Sequence, residues 1–138
     1  MCSEFVWDPA KFSLHVEPMD AEHRRLVELM NRLQRLYLDR APAFDQGKAF
    51  AALADCTQKH FQHEEAYMES IGYPNLAVHR AVHKSLMDKL NEHARGFKQN
   101  KVFTEALFQF LHMWLKAHIC GIDMKYANYA HSLEEATA

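Results

Sequence analysis

Four stretches of this chain carry apolar residues at the i, i+3, i+4, i+7 spacing of an amphipathic helix, and turn-forming residues separate them. The first runs from about Asp20 to Leu38 with Leu26, Leu29, Met30, Leu33, Leu36 and Tyr37 in phase, and Asp20 is the expected N-cap. The second, from about Asp45 to Ile71, carries Phe50, Leu53, Phe61, Met68 and Ile71. The third, from about Asn75 to Phe97, carries Leu76, Leu86, Met87, Leu90 and Phe97. The fourth, from about Lys101 to Tyr129, carries Phe103, Leu107, Phe110, Leu111, Trp114, Leu115, Ile119 and Ile122. Pro42 and Gly47, then Gly72-Tyr73-Pro74-Asn75, then the run from Gly96 to Asn100 mark the breaks. There is no strand-like alternation and no internal repeat. The expectation is an all-α, up-down-up-down antiparallel four-helix bundle. A single domain covers residues 1–138, with an N-terminal arm (1–19), the bundle (20–129) and a C-terminal tail (130–138). The arm's Phe5, Trp7 and Phe12 are expected to pack across the bundle.

Composition narrows the function. A formal net charge of −2 leaves no basic footprint for a phosphate backbone, so nucleic acid is not an expected partner. No apolar run is long enough to span a bilayer, so no membrane insertion is expected. The opening MCSEFVWDPAKF lacks the layout of a signal peptide, which makes the cytoplasm the expected compartment. Cys2, Cys56 and Cys120 are odd in number and far apart, which speaks against a disulfide framework.

Ten histidines in 138 residues is the anomaly, and their placement carries the chemistry. His23 falls on the inward stripe of the first helix. His60 and Glu64 are i, i+4 partners on the second, about 40° apart around the axis. His79 and His83 repeat that spacing on the third. On the fourth, His118 continues the Trp114/Leu115 face, and Asp123 follows five residues on, about 140° off direction in a regular α-helix. Asp123 reaches a shared centre only if the helix loosens locally. Seven buried ionisable groups with no shared partner would be very costly, and a metal removes the cost by taking the lone pairs. Five imidazoles and two carboxylates exceed the four ligands of one zinc but suit two mid-row ions with mixed N,O coordination. Two octahedral ions offer roughly twelve positions. Five histidines, two bridging carboxylates and a bridging oxide or hydroxide leave one of them open.

The motifs Asp20-Ala21-Glu22-His23, His60-Phe61-Gln62-His63-Glu64, Tyr73-Pro74 leading to His79 and His83, and Trp114 to Ile119 with Asp123 to Tyr126 together resemble the hemerythrin family. The likeness is to its single-domain bacterial members and covers about Trp7 to Tyr129. The resemblance implies two non-haem iron ions with a bridging oxide or hydroxide. One is held by His79, His83 and His118 and the other by His23 and His60, with Glu64 and Asp123 bridging. It implies reversible O2 binding as a hydroperoxide at the open position, for oxygen storage, delivery or scavenging. Leu115, Ile119 and Trp114 are expected to line the O2 pocket. No catalytic residue is expected, and the chain is expected to act as a monomer serving an O2-consuming partner protein. The competing function is a di-iron redox protein acting on peroxide or nitric oxide, or a sensor working through a partner. Two features depart from the family pattern: Ser13-Leu14-His15 replaces a small residue in the arm, and Glu22 stands where glutamine is common. His15, His63, His93, His112 and His131 are expected at the solvated surface, Cys56 near the site, and Cys120 pointing away from it.

Overall fold

The structure is a computed structural model that describes residues 3–137. Met1, Cys2 and Ala138, which enter the N-terminal, cysteine and tail expectations, lie outside the described residues. A one-turn helix α1 (Pro9–Phe12) sits in the arm, with Asp8 accepting from the Ala10 amide at 3.0 Å. The bundle consists of α2 (Glu17–Leu38), α3 (Ala43–Ser70), α4 (Leu76–Asn100) and a last rod. That rod is α5 (Glu105–Ala117), a π-helical segment (His118–Asp123) and α6 (Met124–Thr137) in unbroken succession. The connections at residues 39–42, 71–75 and 101–104 are short, so successive helices run antiparallel.

Helix ends differ from expectation for identifiable reasons. α2 begins at Glu17, and Pro18 falls in its first turn, where a missing N–H costs nothing. Asp20 is therefore not the N-cap. It is buried inside the helix, where its carboxylate accepts from Ser13 Oγ at 2.7 Å and from the Leu14 amide at 2.8 Å. The α2–α3 turn closes with Arg40 at φ 54, the Ala41 amide donating to Leu36 and the Arg40 amide to Tyr37. The α3–α4 turn repeats this pairing with Gly72 at φ 67, the residue type that adopts it without strain. The expected tail is helical. α6 continues to Thr137, burying Ala130 and bringing His131 Nε2 to the Leu14 carbonyl at 2.9 Å.

The arm packs across the bundle. Phe5 and Phe12 are buried with their rings 5.3 Å apart, and Trp7 lies against them. Asn31 on α2 clamps the Phe5 backbone from both sides, accepting its N–H at 2.9 Å and donating to its carbonyl at 2.8 Å. One end of the bundle is filled by apolar side chains. There Phe97 stacks on Phe103 at 4.0 Å, and a Cβ at Gly47 would approach the Phe97 ring to 3.0 Å. The other end, formed by the start of α2, the end of α3, the start of α4 and the π segment, holds the ionisable groups. Among the described residues no helix is long and apolar enough to cross a membrane.

Candidate metal centre

All seven residues singled out from the sequence meet inside this end, each buried to 4% exposure or less. They form two groups in which the ligand atoms lie within 4.8 Å of one another. Glu64, His79, His83, His118 and Asp123 make one, and His23, His60, Glu64 and Asp123 the other. Both carboxylates belong to both groups. Glu64 turns Oε1 toward His83 Nε2 at 3.2 Å and Oε2 toward His23 and His60 Nε2, each at 3.5 Å. Asp123 turns Oδ1 toward His79 at 3.0 Å and His118 at 2.9 Å, and Oδ2 toward His23 at 3.1 Å.

The π segment explains how Asp123 arrives. Its wider i→i+5 turn carries a residue five positions on back toward the face of His118, whereas a regular α-helix would aim it elsewhere. π-helical segments of this kind, inserted in α-helices, are frequent at functional sites. Cys120 and Gly121 fall on the outer side of the widened turn.

Although the nitrogen and oxygen atoms are close, they do not satisfy one another. His23 Nε2, His60 Nε2, His79 Nε2, Glu64 Oε1 and both Asp123 oxygens are buried without a hydrogen bond. His83 and His118 face each other Nε2 to Nε2 at 3.3 Å. Such a set aims its lone pairs at common points instead of at partners, which is how a metal-binding donor set is arranged. Mixed imidazole and carboxylate donors, with two carboxylates shared, fit a pair of transition ions.

Electrostatics inside the donor set follow from mutual proximity. Burial and the Glu64 charge push the Asp123 carboxyl up, but His118 and His23 outweigh both and hold it at about 2. Glu64 is likewise held well below the carboxylate range by His60, His23 and His83, against the desolvation of a fully buried group. Desolvation disfavours the charged His60 ring, yet Glu64 and Glu22 overcome it and raise the pKa to about 10. His23 is raised by Asp123 and Glu64, again against burial.

Three further residues hold the set in place, and the sequence reading assigned none of them a role. Glu22 accepts from His60 Nδ1 and from His63 Nδ1, both at 2.6 Å. Glu65 accepts from His83 Nδ1 at 3.0 Å and is anchored by Arg80 Nε at 3.1 Å. A carboxylate on Nδ1 fixes the tautomer and leaves Nε2 free to face inward. Tyr126 donates its hydroxyl to Glu64 Oε2 at 2.7 Å. The outward glutamates have no local signal, because their histidines come from other helices. Tyr126 is one turn beyond Asp123 on the inward face and could have been read from that spacing.

Leu115, Ile119 and Trp114 are buried beside His118, and Phe61 stacks on the His83 ring at 3.8 Å with Trp114 edge-on to it at 6.0 Å. His15 and His63 are exposed, as expected. His93, His112 and His131 are instead half-buried. His93 stacks on Phe110 and His112 bonds Gln34 at 2.8 Å, since the bundle flanks offer ring and amide partners that helical phase does not reveal. Cys56 lines a surface groove of about 400 Å³ shared with Glu22, His60 and His63. Cys120 is exposed, with its Sγ 3.7 Å from the Lys11 carbonyl oxygen.

A four-helix bundle with a buried, carboxylate-sharing pair of histidine groups defines a class of metal-binding helical proteins. Comparison with known proteins agrees. Residues 14–130 match the model of the hemerythrin HHE cation binding domain, so the chain belongs to the hemerythrin family. It is 31% identical over 125 residues to the bacteriohemerythrin of Stenotrophomonas maltophilia, covering 89% of this chain and 79% of that one. It is 32% identical over 130 residues to the bacteriohemerythrin of Clostridium acetobutylicum, covering 88% and 98%. A crystal structure of wild-type hemerythrin superimposes with a TM-score of 0.84 at 26% identity, over 91% of this chain and 97% of that one.

Proposed function

We propose that this chain is a non-haem di-iron protein that binds O2 reversibly, for oxygen storage, delivery or scavenging. The observation that supports this most directly is the sharing of Glu64 and Asp123 between histidine groups of unequal size. His79, His83 and His118 would hold one ion and His23 and His60 the other, so the second ion is one protein ligand short. A pair of ferrous ions held by these residues would supply the electrons and the open position that O2 uptake requires.

The remaining work belongs to side chains. Neutral imidazoles donate less charge than carboxylates, which favours the ferrous state and limits chemistry beyond uptake and release. Glu22 and Glu65 orient His60 and His83 through Nδ1. The Tyr126 hydroxyl fixes the Glu64 carboxylate and holds a proton at Oε2. Leu115, Ile119 and Trp114 are the proposed lining of the O2 pocket, where their apolar surfaces keep water and protons from the bound ligand. The chain is proposed to act as a monomer in the cytoplasm, passing O2 to an O2-consuming protein, and no catalytic residue is assigned.

The test is visible absorption of iron-loaded protein through repeated cycles of O2 and argon. A charge-transfer band that comes and goes with O2 supports a reversible carrier. A single irreversible oxidation overturns it in favour of a redox enzyme or sensor.

A further inference from the structure

The end of the bundle opposite the histidine groups combines exposed apolar side chains with cations that the fold does not use. Phe44 is 77% exposed, Val102 60% and Leu38 40%. They come from the first turn of α3, the link between α4 and α5, and the last residue of α2. Two depressions open at this end, of about 390 Å³ and about 660 Å³, and Ala43 and Lys101 belong to both. Phe103 and Val102 wall the first, and Phe97 and Phe44 the second. Arg40 stands on the rim of the first, Lys48 on that of the second and Lys101 between them. No described carboxylate lines either one; Asp39 and Asp45 are at this end but belong to neither.

Stability does not explain these cations. Arg40 and Lys101 sit at φ 54 and φ 60, a left-handed region that glycine enters without strain and other residues enter at a cost. The matching turn at the metal-site end uses Gly72. Arg40, Lys48 and Lys101 are exposed and make no ion pair with a described residue. The chain as a whole carries a net charge of −2, so the positive rim runs against its average. Single exposed apolar residues are ordinary, but apolar concavities ringed by one sign of charge specify what fills them. The occupant has apolar side chains that enter and carboxylates that meet the rim. A second copy joined by the same face would set these cations against their own duplicates. A lipid surface matches the charge but is smooth, and it does not fill depressions walled by Phe97 and Phe103. A protein segment satisfies both requirements.

We propose that this end of the bundle is a docking surface for a partner protein that presents a segment of apolar side chains flanked by Asp and Glu. The apolar side chains seat in the two depressions against Phe44, Phe97 and Val102. Arg40, Lys48 and Lys101 meet the carboxylates. The rim charges stay in contact with water, so the contact is salt-sensitive and quickly released. This surface is independent of the metal reading. The seven ligand-type residues lie at the other end, which a docked partner leaves uncovered.

The test titrates the iron-loaded full chain into a short fluorescein-labelled peptide of Leu, Phe, Asp and Glu and follows fluorescence anisotropy. Two control peptides carry Lys in place of every acid or Ser in place of every apolar residue. The expected result is saturable binding of the first peptide alone, weakening as salt is raised from about 0.05 M to about 0.5 M. Lys48→Glu/Lys101→Glu and Phe44→Ser should each weaken it roughly tenfold. Their thermal melts should match the parent, because these side chains are exposed. Amide hydrogen exchange in the complex should slow at residues 38–48 and 97–103 and stay unchanged at His23 and His118. No saturable binding up to about 1 mM, or an affinity indifferent to both variants, overturns the proposal. Phosphatidylglycerol vesicles that bind through Phe44 while the peptide does not would assign the face to a membrane. A dimer in sedimentation that either variant dissociates would assign it to a second copy, and either outcome overturns the proposal. If a variant fails to fold, the control peptides decide, and equal binding of all three peptides overturns it.

Discussion

Replacing Asn31 with leucine tests how the arm protects the centre. Asn31 is 9% exposed and makes both hydrogen bonds that hold the Phe5 backbone, at 2.9 and 2.8 Å. Leucine fills similar space and offers neither donor nor acceptor. If the arm stays, two buried backbone groups lose their partners at about 1–3 kcal/mol each. If it swings out to recover water, Phe5 and Phe12 leave the core at about 1.5–3 kcal/mol each. The routes come to about 2–6 and about 3–6 kcal/mol, and the cheaper one sets the loss, so the destabilisation is at least about 2 kcal/mol. At roughly 3–5 °C per kcal/mol for a chain of this size, the Tm should fall by at least roughly 6 °C. Trp7 follows on the same arm with its ring 6.4 Å from that of His23, so release of the arm should also wet that side of the cluster. The assays are a thermal melt and amide hydrogen exchange, which should quicken at Phe5 and at Leu14. A Tm within roughly 2 °C of the parent, with exchange at both amides unchanged, would refute the clamp.

Glu64→Ala or Asp123→Ala should lower bound iron well below two per chain, measured by metal analysis after gel filtration; two tightly held irons in either variant would remove that residue from a bridging role. Leu115→Ala should cost about 2–5 kcal/mol by cavity formation and speed autoxidation by admitting water. An unchanged or slower autoxidation rate would take Leu115 out of the O2 pocket. In the metal-free fold His60 is raised to about 10 and is charged at neutral pH, so loading must displace its proton. Apparent metal affinity should therefore climb as pH rises toward about 10 and fall on acidification. Calorimetry in buffers of different ionisation enthalpy should detect the released proton, and a pH-independent affinity contradicts the assignment.

The helices were legible because their apolar stripes are long, and the seven inward ligand-type residues because they interrupt those stripes in phase. Asp123 was legible only in part: its five-residue offset from His118 demanded a loosened helix, and the π segment is that loosening. Helix ends were less readable. Pro18 falls within the expected arm (1–19) but sits in a first helical turn that tolerates it, and Arg40 closes a turn in the left-handed conformation that glycine usually marks. The outward supports escaped notice because Glu22–His60 and Glu65–His83 join different helices, and only the folded bundle brings each pair together. His131 likewise takes its role from a contact with Leu14, at the opposite end of the chain.

The most direct test of the central claim is an anaerobic ferrous iron titration of the metal-free chain, followed by O2 uptake measured against bound iron. The account predicts saturation at two irons per chain, then one O2 taken up per pair and recovered under argon. Saturation at one iron, or O2 consumed without recovery, would contradict it.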